Sequence, residues 1–296
     1  MANTINLVSK FLDILAEVYK LESKTSGLDA MTMPVEFGGA NEVKVMKLTT
    51  VGLGTYSRST GYPAGDIVAE WVTMALAAER GRAFSLDRMD SEETLGLVLG
   101  NVIRAWMREH VAPEMDAYRF AKYASTSGIQ VVAAGTTLAS TTVLAAIDEA
   151  ALKLDEAEVP AEGRKLYVSS TVNKFLEAAV TRTLANEGSV DRRVRMLDNM
   201  EIIPVPQTRF YTKIDLNAGA TSSVGGFIKN VATGKDINFM LLHPSAVLQP
   251  VKLNQVKYFP PEVNQTSDGH LWQYRLYHDA FVQAQHELGI YLHMKA

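Results

Sequence analysis

One proline constrains this chain more than any other residue. The longest amphipathic stretch opens at Asp90 and runs to Ser125, and Pro113 lies inside it, in HVAPEMDAYRFAKYAS (110–125). Leu95, Leu99, Val102, Ile103, Trp106 and Met107 recur at three- and four-residue spacing, which puts them on one helical face. Asp90 suits an N-cap, and Glu93 stands at the capping-box position. Pro113 has no amide to donate, and its ring crowds the carbonyl of residue 109. Ala112 before it is biased away from the α region. Either the long helix kinks here, or it ends and a second helix starts with Pro113 in its first turn. In the second case Glu114 and Asp116 fall where acids favour the helix dipole. Glu114, Asp116 and Arg119 suit an active site or a structural joint equally well.

The remaining segments set the fold class. Residues 4–20 carry a wide apolar face at helical spacing, and residues 21–40, with Gly27, Pro34, Gly38 and Gly39, read as an arm or loop. EVKVMKLTT (42–50) alternates as a strand does, and the glycine-rich GLGTYSRSTGYPAGD breaks it. Alternation resumes from Trp71 to Asp87, with helix as a rival over 68–79 because Ala and Leu are good helix formers. Residues 129–151 read as an Ala-rich helix, LYVSS as a strand and TVNKFLEAAVTRTLA as a helix. NMEIIPVP and DINFMLLHP are further strands, with RFYTKIDLNAGATSSVGG between them as a loop. SAVLQPVKL reads as a short helix or turn, and QVKYFPPEV as a strand with its turn. In HLWQYRLYHDAFV, Trp272, Tyr274 and Leu276 oppose Leu271, Gln273 and Arg275, and GIYLH closes the chain as a strand. The sum is an α+β protein whose block 127–245 looks inserted between two halves of another unit.

Chemistry-bearing motifs are weak. The chain has no cysteine, which excludes disulfides and thiolate metal sites. GLGTYS lacks the dinucleotide fingerprint, VATGKD lacks phosphate-loop spacing, and no GxSxG or HExxH occurs. His270 and His278 with a carboxylate are a poor metal set, and hydrogen-bonded histidines near β structure are the better reading. Asp87, Asp90, Glu92 and Glu93 suit a helix start rather than acid–base catalysis. No catalytic, cofactor or metal residue is therefore assigned. A net charge of −4 argues against nucleic-acid binding by bulk charge. Arg192 and Arg193 in DRRVR, and Arg80 and Arg82 in ERGR, read as solvated or salt-bridging groups. Arg80 and Arg82 share a face if they lie on a strand, and suit bidentate pairing with acids of a neighbouring chain. The N-terminus lacks a signal-peptide pattern, and no stretch reaches 18 uncharged apolar residues, so no membrane span is expected.

Four stretches in order carry a resemblance that covers nearly the whole chain: ERGRAFSLDRMD (79–90), VAPEMDAYRFAKYAS (111–125), VDRRVRMLDNMEIIPVP (190–206), and the tail from HPSAVLQPVKLNQVKYFPPE to YRLYHDAFV. Together they resemble the major capsid proteins of tailed bacteriophages, with the Hong Kong-type fold shared by encapsulin shells, in a compact family of roughly 300 residues. The resemblance implies an N-terminal arm (1–38), an extended β-hairpin loop (39–86) and a peripheral domain with a spine helix (87–126). An axial domain (127–245) and a peripheral return segment (246–296) would follow. It implies pentamers and hexamers closing an icosahedral shell around double-stranded DNA held without sequence-specific contacts. Assembly would occur in the bacterial host cytoplasm, and the product is the virion capsid. Partners would be a separate scaffolding protein, a portal and a decoration protein, with no cofactor, no membrane and no enzymatic activity. An encapsulin-like nanocompartment shell is the alternative, and a soluble α/β enzyme a more distant one. Within this frame Arg80, Arg82, Pro113, Glu114, Asp116, Arg119, Arg192 and Arg193 are assembly or structural candidates, and the 110–125 cluster is a joint between spine helix and axial domain.

Overall fold

The computed structural model describes residues 23–31, 36–37, 42–89, 103–132, 137–179, 194–219 and 224–295. The expected N-terminal helix, the Asp90 cap, and Arg192 and Arg193 lie outside the described residues. In chain order the strands are β1 Glu36–Phe37, β2 Glu42–Thr50, β3 Ile67–Ala75, β4 Ala78–Asp87, β5 Gln130–Val132, β6 Lys165–Ser169, β7 Met196–Leu197 and β8 Met200–Val205. They continue as β9 Ile214–Leu216, β10 Phe227–Lys229, β11 Ile237–Leu242, β12 Val247–Leu248, β13 Val251–Phe259, β14 Gly269–His278, β15 Phe281–Val282 and β16 Ile290–Met294. The helices used below are α1 Ala112–Ser125, α2 Val143–Glu156 and α3 Ser170–Ala179.

The helix does not stop at the proline. Residues 103–106 are helical, Met107–Val111 form a π-turn, and α1 follows without a gap. Ala112 donates its amide to the carbonyl of Met107, five residues back, so the turn widens ahead of the proline ring. The bias of Ala112 away from the α region is overridden, since its φ is −63° and its ψ −44°. Burial explains this: Met107, Val111 and Ala112 are all packed away from solvent. The alternative of a second helix starting at Pro113 is thereby corrected, and Glu114 and Asp116 do not flank a free N-terminus.

α1 joins two cores. Met115 packs with Met107, Val111, Trp272, Tyr274 and Leu276, while Phe120 and Tyr123 pack with Tyr167, Phe210 and Met240. The second group belongs to a six-stranded sheet of order β5-β16-β11-β6-β8-β7, in which β5/β16 and β6/β8 are the parallel pairs. Its central strands are apolar on both faces, as strands covered by helices must be. Leu166, Val168, Phe239 and Leu241 meet Ile147 and Leu154 of α2 and Leu176 of α3, while Tyr167, Met240 and Leu242 share the core of α1.

Three local readings change. Residues 130–132 are a strand rather than a helix start, and the helix begins at Val143. The stretch 209–226 holds β9, which pairs with β10, so it is not wholly loop. After a 3-10 turn at Pro244–Ala246, the chain is already extended in β12 and β13. The closing strand β16 lies in the six-stranded sheet, between β5 and β11.

A second sheet, β13-β14-β4, places Trp272, Tyr274 and Leu276 against the 103–111 helical segment, on the face that alternation assigns them. The strand reading of 68–79 prevails over helix, because Val68, Trp71, Val72 and Thr73 suit a pleated surface. β2 and β3 form a hairpin in register from Glu42 opposite Ala75 to Thr50 opposite Ile67, and β4 then leaves it to pair with β14.

Replacing Pro113 with Ala restores an amide that can bond to the carbonyl of Glu109 and draw the π-turn toward α geometry. Trp106, edge-on to Phe84 and Tyr274, is then expected to move, shifting tryptophan fluorescence and near-UV circular dichroism. Spectra identical to those of the parent would show that packing, not the proline, sets this turn.

Candidate functional site

The charged cluster of α1 is a clasp. Asp116 is fully buried and accepts five hydrogen bonds. Its Oδ1 receives Ser23 Oγ (2.7 Å), Thr25 Oγ1 (2.8 Å) and the Thr25 amide (3.2 Å). Its Oδ2 receives the Lys24 amide (2.9 Å) and Arg209 Nη1 (3.3 Å). Arg119, also fully buried, donates from Nη1 to Thr25 Oγ1 at 2.8 Å and reaches Asp29 from Nη2 at 3.2 Å. Lys165 Nζ donates to the Gly27 carbonyl, and Leu28 is sealed into the core beside Phe120. The segment 23–31 is thus fixed to α1 by a desolvated, multiply satisfied carboxylate. Such a network contributes chiefly through what its loss would leave unpaired.

A second polar knot fixes the root of the hairpin. Asp279, fully buried, accepts the Ala77 amide on Oδ2 (2.8 Å), and Tyr118 Oη (3.0 Å) and the Ala280 amide (2.8 Å) on Oδ1. Lys122 Nζ stands 3.4 Å from the same Oδ1. Tyr277 donates from its hydroxyl to the Leu76 carbonyl at 3.0 Å. Burial, reinforced by Asp279, raises the Tyr118 phenol well above its ordinary range. His278 lies edge-on to Tyr118, and burial, with Arg119 and Arg80 adding repulsion, pushes its imidazole down to about 3. His270 accepts or donates at 2.7 Å with Tyr258 Oη, and among the described residues no three His, Asp or Glu groups are placed to hold a metal ion.

Beyond that root the hairpin is unusually apolar for a surface. Met46 opposite Trp71, Leu48 opposite Ala69 and Ile67 opposite Thr50 share one face, on which Met46, Leu48, Ile67 and Trp71 are each more than half exposed. Leu53, Tyr56 and Tyr62 continue the patch at the tip. A two-stranded ribbon is marginal in water by itself, and a contiguous apolar face of this kind marks a contact surface.

Arg80 and Arg82 do share a face of β4, but Arg80 finds its acid within the chain. It pairs with Glu114 through both carboxylate oxygens, Nε at 2.5 Å and Nη2 at 3.2 Å. Arg82 reaches the Gly219 carbonyl at 3.4 Å. Ser23, Thr25, Arg209 and Asp279 carry as much of these networks as the residues singled out from sequence.

No family model matches the chain, and no curated protein matches it in sequence. The capsid structure of the cyanophage P-SCSP1u superposes with a TM-score of 0.61 at 13% identity, over 88% of this chain and 85% of that one. The virus-like particle from Pyrococcus furiosus gives 0.57 at 9% identity, over 97% and 98%. The mature capsid of bacteriophage PhiM1 gives 0.54 at 13% identity, over 87% and 82%. The chain has, at the level of fold, the Hong Kong-type architecture of tailed-phage capsid structures. In this capsid fold the two buried carboxylates hold the N-terminal segment and the hairpin root to one helix. No helix among the described residues is long and apolar enough to cross a membrane.

Two outcomes test these networks. Asp116→Ala strands the buried Thr25 amide and the Ser23 and Thr25 hydroxyls and removes the acceptor of Arg209, and is expected to cost about 3–5 kcal/mol in denaturant unfolding. A loss below about 1 kcal/mol, the scale of an exposed ion pair, would show the clasp to be incidental. For His278 the unfolded chain binds a proton near pH ~6.5, whereas the native imidazole takes one only near pH 3. Between these values the unfolded state holds more protons, so stability falls with falling pH, by up to ~1.4 kcal/mol per unit. His278→Phe should flatten the slope of urea midpoint between pH 4 and 6, and an unaltered slope would contradict the assignment.

Proposed function

We propose that the chain is a major capsid protein, which assembles as pentamers and hexamers into an icosahedral shell around phage double-stranded DNA. The observation that carries this reading is the exposed apolar face of the β2–β3 hairpin, on a fold shared with capsid structures over most of its length. Many such contacts, each modest, sum to high avidity in a closed shell. The role is structural, and the buried charges serve packing rather than turnover.

The division of labour along the chain follows the same reading. Residues 1–38 form the N-terminal arm, clasped at 23–31, and 39–86 the extended hairpin, whose last strand β4 serves the peripheral sheet. Residues 87–126 and 246–296 make the peripheral domain, and 127–245 the axial domain, into whose sheet β16 crosses back. Arg192 and Arg193 belong to the axial block as intersubunit salt-bridge candidates. A separate scaffolding protein, a portal and a decoration protein are the partners of such a shell in the host cytoplasm. A net charge of −4 suits dense packing and release of DNA, because a strongly attractive inner surface would retain it.

The match to the Pyrococcus furiosus virus-like particle supports a second reading, an encapsulin-like compartment. The two differ in what co-purifies with the shell, DNA for a capsid and protein cargo for a compartment. The hairpin reading is tested by Ile67→Asp with Trp71→Asp, two exposed positions that the isolated fold does not need. Sedimentation should then show loss of shells, with circular dichroism unchanged. Shells of undiminished yield would remove the hairpin as the main contact.

A further inference from the structure

The guanidinium of Arg80 does more than pair with an acid. Glu114 occupies Nε and one Nη2 hydrogen, which leaves the other edge of the planar fork directed at two backbone carbonyls. Nη1 donates to the Asn217 carbonyl at 2.9 Å, and Nη2 to the Gly226 carbonyl at 3.2 Å. Those carbonyls belong to the pair that closes the β9–β10 ribbon, because the Asn217 amide itself donates to the Gly226 carbonyl at 2.9 Å. Gly226 presents its carbonyl with φ of +78°, a conformation that disfavours residues with a Cβ. At Gly219, φ is +69°, and a Cβ would lie 2.8 Å from Arg82 Nη1. The arginine–carbonyl contacts bridge one wall of a cleft of about 270 Å³, backed by Phe84, Trp106 and Tyr274.

Three remote parts of the chain meet at this one group. β4, which carries Arg80, runs directly from the hairpin root that Asp279 and Tyr277 pin. Glu114 stands on α1, immediately after Pro113. Asn217 and Gly226 belong to the ribbon. We infer that Arg80 is a coupling residue that locks the β9–β10 ribbon to the hairpin root and to α1, so that a change in hairpin direction is transmitted to the ribbon. Glu114 is the positioning residue that turns the fork toward the carbonyls. A lysine cannot replace the arginine fully, since a point donor cannot hold the carboxylate and both carbonyls in one plane. The coupling acts within a single chain and does not depend on shell formation.

Hydrogen exchange read by mass spectrometry on the purified 296-residue chain tests it. The variant is Arg80→Met combined with Glu114→Gln, which removes the clamp without stranding a half-buried carboxylate. Exchange in 211–219 and 224–236 is expected to rise about tenfold, with β6, β11 and α2 unchanged. Arg80→Lys, which keeps the charge pair, should give an intermediate rise, and Arg82→Met a small one. Unchanged exchange in the ribbon overturns the coupling. So does an equal rise throughout the sheet, which would mark a general loss of stability. If the double variant does not fold, the Arg80→Lys result decides, and parent-like ribbon exchange there counts against the fork. Particle formation by the parent chain is scored separately, so failure to make shells would overturn the capsid reading and not this one.

Discussion

Asp116 is the constraint on which the arrangement turns. A carboxylate with no solvent contact is tolerable only when its lone pairs are filled, and here two backbone amides, two hydroxyls and Arg209 fill them. The donors come from residues 91–93 positions away, at Ser23, Lys24, Thr25 and Arg209. The site therefore exists only when the N-terminal segment, α1 and the 207–209 turn are assembled together. Arg119 beneath it imposes the same condition through Thr25 and Asp29. Breaking any one of these contacts leaves a buried charge or donor uncompensated.

α1 carries this constraint to both cores. Its apolar residues divide between the six-stranded sheet and the β13-β14-β4 sheet, and its polar residues hold the segment 23–31, the hairpin root and the ribbon. The π-turn before Pro113 sets the rotation of the helical segment that packs on the second sheet. Pro113 lies within one continuous helical run over the described residues 103–125. The hairpin leaves this rigid body with an apolar face uncovered in the single chain, which is the physical basis of the shell reading.

Legibility in the sequence followed the range of the interactions. The alternation of Trp272, Tyr274 and Leu276, and the apolar runs of β6 and β11, are local patterns that survive in the fold. The start of α2 was not readable. The run from Gly128 to Ala150 is rich in Ala, and Gln130–Val132 become a strand only because β16 lies beside them. β9 needed β10 as its partner in the same way. The sequence pattern marks Asp116, Arg119 and Glu114 on one short helical stretch but does not mark their partners. Arg80 was matched in expectation to a neighbouring chain, whereas its acid lies 34 residues on and its carbonyls 137 and 146 residues on. Side chains whose donors and acceptors are that remote carry no periodic signal.

The central claim is that this chain closes into a shell through surfaces the single copy leaves bare. Electron microscopy of the 296-residue chain, expressed alone and with a candidate scaffolding protein, tests it most directly. The account predicts closed icosahedral particles built from pentamers and hexamers. A stable monomer or dimer under every such condition would contradict it.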